Sequence, residues 1–135
     1  MRIEREVVLP AAPAEVWEAV TDEGRMGQWL GGEVDLDVAV DVAPGGSGIV
    51  TGPGEPLWHM RVHTVEPGRR LGFEWWPDDG SGPLTEVELE LTALDDGTLV
   101  RVVETFVAPP PLLPRDQDRP RRLGFELRAR VPVSV

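Results

Sequence analysis

The sequence predicts an α+β domain in which one strand and two short helices precede an antiparallel meander. Apolar residues recur at every second position through most of the chain, the mark of strands with one buried face. Before the C-terminal segment, three- and four-residue spacing is confined to Ala14 through Leu30, which leaves room for short helices only. Gly 15 and Pro 14 in 135 residues interrupt the chain too often for a helical bundle.

Taken in order, Ile3, Arg5, Val7 and Leu9 alternate with Arg2, Glu4 and Glu6 in a first strand that ends at Pro10. Pro13 suits a first helical turn, and Val16, Trp17 and Val20 stripe a helix over Ala14 to Val20. Thr21 and Asp22 are expected to cap a second helix with Met26, Trp29 and Leu30 on its apolar side, stopped by Gly31 and Gly32. From Glu33 the period returns to two, with Val34, Leu36, Val38 and Val40 on one face. Pro44, Gly45 and Gly46 turn the chain toward a partner strand at Gly48 to Thr51. In Leu57 to Val65, Trp58, Met60 and Val62 share one face, and His59, Arg61 and His63 the other. Leu71, Phe73 and Trp75 repeat the pattern, and a polar loop follows over Pro77 to Pro83. Thr85, Val87, Leu89 and Leu91 then oppose Glu86, Glu88 and Glu90. A hairpin turn at Asp95, Asp96 and Gly97 leads to Val100, Val102, Glu104 and Phe106.

Beyond Pro109 the prolines deny helix and inner strand, and Arg115 to Arg122 is densely charged. Leu123, Leu127 and Val131 could stripe a short helix before Pro132. Residues 1–108 are therefore expected to form the body of one domain, with 109–135 a linker and short helix belonging to it.

A chain of this length buries about two-thirds of its unfolded surface in one core. The formal net charge of −11 disfavours nucleic acid and anionic membrane surfaces as partners. The absence of cysteine excludes disulfides, thiolate metal sites and thiol nucleophiles. With no apolar run long enough to span a bilayer and no leader-like start, a cytoplasmic location is expected.

The run Ala12-Pro13-Ala14-Glu15-Val16-Trp17 leading to Thr21-Asp22 is joined by Trp29-Leu30, Pro44-Gly45-Gly46 and Val65-Glu66-Pro67-Gly68-Arg69-Arg70-Leu71. Phe73-Glu74-Trp75, Gly97-Thr98 and Val102-Val103-Glu104-Thr105-Phe106 complete the series. In this order and spacing they resemble the START-like superfamily, often labelled SRPBCC. The branch they are most similar to is that of the activator of the ninety-kilodalton heat-shock protein's ATPase. The resemblance implies a helix-grip fold: a curved antiparallel sheet of about six or seven strands, two short N-terminal helices, and a ligand cavity between sheet and helices. The family's long C-terminal helix is atypical here, short or missing.

Trp29, Trp58 and Trp75 fall on inward faces with Met60, Phe73 and Phe106, and indoles suit a pocket for a flat hydrophobic molecule as readily as they fill a core. Together with Val87, Leu89, Val102 and Glu104 they form the candidate ligand-binding set. Glu104 stands alone as a carboxylate on an inward face, where it must be satisfied by an Arg, by a ligand, or by lying near the solvated sheet edge. It is also the one candidate catalytic acid or base. His59 and His63 share an outward face without further ligands, so no metal is expected. Ser47, Ser81 and Ser134 lack a matched base, and no cofactor motif is present.

Three functions follow. A binding module that sequesters, transports or senses a small hydrophobic molecule leads, because no acid, base and nucleophile converge. The resemblance adds a polyketide cyclase- or aromatase-like enzyme working through Glu104, and an interaction module for a chaperone ATPase. Val87, Leu89 and Val102 also need a cover. Either the Leu123, Leu127 and Val131 stripe docks on them or two chains meet as a symmetric homodimer, and the dimer is favoured.

Overall fold

The computed structural model describes residues 1–31, 36–54 and 56–107. Its elements are β1 (Arg2–Leu9), α1 (Pro13–Thr21), α2 (Glu23–Gly31), β2 (Asp37–Val40), β3 (Ser47–Thr51), β4 (Trp58–Glu66), β5 (Arg70–Pro77), β6 (Leu84–Leu94) and β7 (Gly97–Val107). The strands make one seven-stranded sheet in the order β1-β7-β6-β5-β4-β3-β2. Every neighbouring pair is antiparallel. This is the α+β helix-grip architecture, a curved sheet with two helices on one face.

Period-two patterning places the core as expected. Trp58, Met60, Val62, Leu71, Phe73, Trp75, Val87, Leu89, Leu91, Val100 and Val102 are buried on the face that meets the helices, while Glu86, Glu88 and Glu90 point away. On that outward side Arg70 reaches Glu66 at 3.3 Å and Glu88 at 2.5 Å, and Arg101 pairs with Glu4 across β7 and β1. The Arg70 guanidinium is held above its ordinary pKa, first by the hydrogen bond to Glu88.

Pro13 opens α1, and Val16, Ala19 and Val20 bury its inner stripe against β6 and β7. The junction between the helices differs from the expected pairing of caps. Thr21 is the last residue of α1, and its hydroxyl donates to the Trp17 carbonyl at 2.7 Å. Asp22 alone serves both ends. Its N–H donates to Glu18, and its carbonyl accepts from Arg25 and Met26 at the start of α2.

In α2, Met26, Trp29 and Leu30 are buried as the spacing required. Gly27 has a role that spacing did not announce. Its carbonyl accepts from Leu36 N–H at 3.0 Å, and a Cβ there would lie 1.6 Å from the Leu36 carbonyl oxygen. Only a residue without a side chain lets the helix lie this close to the backbone entering β2. Within β4 the pairing to β5 shifts between Val62 and Thr64, a β-bulge that bends the strand. The Leu123, Leu127 and Val131 stripe and the proline-rich segment lie outside the described residues.

Candidate functional site

Strand register arranges the inward face in cross-strand rows. One row runs Met60, Trp75, Thr85, Phe106 across β4, β5, β6 and β7. The next runs Val62, Phe73, Val87, Glu104 and ends on Ile3 of β1. A third includes Leu71, Leu89, Val102 and Arg5. Trp58 stands beyond the first row, opposite Pro77.

The aromatic rings form a continuous line. Trp29 on α2 meets Phe73 edge-on with centroids 6.2 Å apart, Phe73 meets Trp75 edge-on at 6.5 Å, and Trp75 lies 4.7 Å from Trp58 in a tilted stack. Trp29, Phe73 and Trp75 are enclosed, whereas Trp58 and Phe106 retain 8% and 7% of their surface. Trp58 stacks on Trp75 and Phe106 lies opposite Thr85, so these two rings flank the Trp75–Thr85 pair.

Four polar atoms on this face meet no hydrogen-bond partner among the described residues: Nε1 of Trp29, Trp58 and Trp75, and Oγ1 of Thr85. Buried indole N–H groups usually find an acceptor, and a buried donor left without one costs about 1–3 kcal/mol. Thr98, on the same face of β7, shows the ordinary outcome, since its hydroxyl donates to the Ala11 carbonyl at 2.7 Å.

Glu104 is 1% exposed, with Val87 on one side and Ile3 on the other. It therefore sits inside the sheet rather than at the solvated edge, which β1 forms. The structure brings Trp29, Trp58, Met60, Phe73, Trp75, Val87, Leu89, Val102, Glu104 and Phe106 onto one inward face. Thr85 belongs with them and was missed as a site residue. Its place in the alternation was visible, but threonine suits either face of a strand, so its type gave no sign of the unmet hydroxyl.

On the outward face His59 stacks on Trp76 at 5.6 Å and lies 2.6 Å from Asp78 through Nε2 and Oδ1. His63 contacts the Thr64 hydroxyl at 2.9 Å and lies over Gly72. The two histidines are thus engaged separately, and among the described residues no group of three or more His, Asp or Glu is placed to hold a metal ion. An open depression of about 690 Å³ lies between Thr21 to Glu23 and Ala39 to Val42, away from the aromatic line. No helix among the described residues is long and apolar enough to cross a membrane.

Similar folds occur in solved structures. CalU16 from Micromonospora echinospora is 28% identical over 79% of this chain, with a TM-score of 0.62. DynU16, a protein of the dynemicin biosynthetic locus, is 31% identical over 81% of this chain, with a TM-score of 0.67. The chain spans 61% of the first and 38% of the second. A protein of Mesorhizobium loti at 20% identity shares the fold over 81% of this chain and 79% of its own, with a TM-score of 0.69. No curated protein matches. The family model described as Activator of Hsp90 ATPase homolog 1-like protein matches residues 10–123, nearly the whole of the sheet and both helices, and the chain belongs to that START-like family.

Proposed function

We propose that this protein binds a small, largely hydrophobic molecule between its sheet and its helices, to sequester, transport or sense it. The observation that carries this reading is the line of rings from Trp29 to Trp58, with polar atoms embedded in it that meet no partner among the described residues. A purely structural core gains nothing from such atoms, whereas a binding site uses a few placed polar groups in an apolar lining to orient its ligand. The likeness to DynU16, from a biosynthetic locus, adds support for a small-molecule ligand.

Titration with a panel of lipids, polyketides and aromatic metabolites, read by tryptophan fluorescence, tests the proposal. A saturable shift with at least one class is expected. No shift from any of them at saturating concentration refutes it.

A second reading, a cyclase- or aromatase-like enzyme, draws on one specific feature, the carboxylate of Glu104 buried on the ring-bearing face. A positioned carboxyl can move a proton to or from a held chain and so speed ring closure. Glu104→Gln should then abolish turnover of a polyketide substrate while leaving its binding intact. Unchanged turnover would remove Glu104 from the chemistry.

A further inference from the structure

The four unmet atoms share a chemical character that narrows the ligand class, given the ligand-binding reading above. An indole N–H can only donate a hydrogen bond, and a threonine hydroxyl donates as readily as it accepts. Nε1 of Trp58, Nε1 of Trp75 and Oγ1 of Thr85 come from adjoining strands. Trp58 and Trp75 stack at 4.7 Å, and Trp75 and Thr85 are direct cross-strand partners. Nε1 of Trp29 is further along the line, beyond Phe73.

The site therefore presents donors from aromatic walls where β4, β5 and β6 adjoin. A plain hydrocarbon would leave each donor as it is, without an acceptor. A protein of formal charge −11 disfavours an anionic ligand. The tilted Trp58–Trp75 stack offers an aromatic surface that favours a flat molecule.

We infer that the ligand is a neutral, planar molecule whose ring carbonyl or similar oxygen accepts hydrogen bonds from the indole N–H groups of Trp58 and Trp75 and from the Thr85 hydroxyl. The rings supply general affinity, and these donors decide which flat molecules are kept.

Fluorene and 9-fluorenone, which share a tricyclic frame and differ by one carbonyl, test this. Each is titrated into the full chain while the indole N–H signals of the 5 tryptophans are followed by ¹H–¹⁵N correlation spectra, assigned through single Trp→Phe variants. Fluorenone is expected to bind about tenfold more tightly than fluorene, the worth of one well-made hydrogen bond. It should move the indole N–H signal of Trp58 or Trp75 downfield, and leave those of Trp17 and Trp76 in place. Thr85→Val, which exchanges the hydroxyl for a methyl group of similar size, should shrink the preference for fluorenone over fluorene, read as the ratio of the two affinities. Equal affinity for the two probes, or a preference with neither indole signal moving, overturns the inference while the ligand-binding reading stands. Binding of neither probe overturns the inference, and the ligand-binding reading is then decided by the lipid, polyketide and aromatic panel.

Discussion

Two buried threonines on the same face of the sheet should respond to the same substitution with opposite sign. Thr85 is 1% exposed between Trp75 and Phe106, and its hydroxyl has no partner among the described residues. Thr98 is equally enclosed, but its hydroxyl donates to Ala11 at 2.7 Å. Valine replaces the hydroxyl by a methyl group of nearly the same size and keeps a β-branched residue in the strand. At Thr85 this removes a desolvated polar atom costing about 1–3 kcal/mol, so a gain of about 1–2 kcal/mol is expected. At Thr98 it removes a made hydrogen bond and leaves a carbonyl unmet, so a loss of about 1–2 kcal/mol is expected. In a chain of this size each kcal/mol moves Tm by about 4 °C. Urea unfolding followed by tryptophan fluorescence measures both, the midpoints moving apart with the slope unchanged. A Thr85→Val variant destabilised by about 1 kcal/mol or more would mean that the hydroxyl is satisfied in the folded protein, and the argument for a donor-lined site would lose one of its members. A stabilised Thr85→Val that binds fluorenone less well would show the trade of stability for function expected where polar atoms are kept for a ligand.

Other predictions follow from separate features. Gly27→Ala would drive a Cβ to 1.6 Å from the Leu36 carbonyl oxygen, so α2 must move off the strand and stability should fall by about 3 kcal/mol or more. A loss below about 1 kcal/mol in urea unfolding would show that the contact yields easily. Phe73→Ala removes a fully enclosed ring that joins Trp29 to Trp75, at an expected cost of about 3–5 kcal/mol and with a change in fluorescence from both indoles. An unchanged emission spectrum would contradict that contact. The Asp79 carboxylate accepts the Ser81 N–H at 2.9 Å and is held below its ordinary pKa of 3.8, chiefly by that serine's side chain and then by its backbone. Its contribution is therefore present above the unfolded carboxyl pKa and is lost as pH falls through the lower folded value. An NMR titration of Asp79 with an inflection at or above 3.8 would refute this.

The sheet was legible because one physical rule, burial of alternate side chains, acts on every strand. It placed Trp58, Met60 and Val62 inward, kept His59 and His63 out, and put Glu104 on the inner face. What escaped depends on contacts between distant segments. The bulge between Val62 and Thr64 shifts the register with β5, and alternation within β4 alone holds no record of its partner's register. Gly27 looks like a weak helix residue until the backbone of Leu36 is placed against it. Thr21 and Asp22 are both good caps by type, and only the position of the turn decides that Asp22 takes the role. In the site, the aromatic residues could be chosen by face, but that Trp58, Trp75 and Thr85 meet no acceptor among the described residues depends on neighbours from other strands and helices.

The strand order also bears on how this chain comes together during synthesis. From β3 to β7 every strand pairs with the one made just before it, so each hairpin can zip up locally as it emerges. β1 is the exception, since its partner is β7, and the ion pair between Glu4 and Arg101 joins residues 97 positions apart. The first strand must wait, with its backbone edge unpaired and its apolar face uncovered, until nearly all of the described fold has left the ribosome. That closure is the slow, entropically costly contact of the topology. A nascent chain stopped short of β7 therefore has a ready strand with nothing to dock on, and protection of β1 from chaperone capture or hydrogen exchange should appear only after β7 is complete.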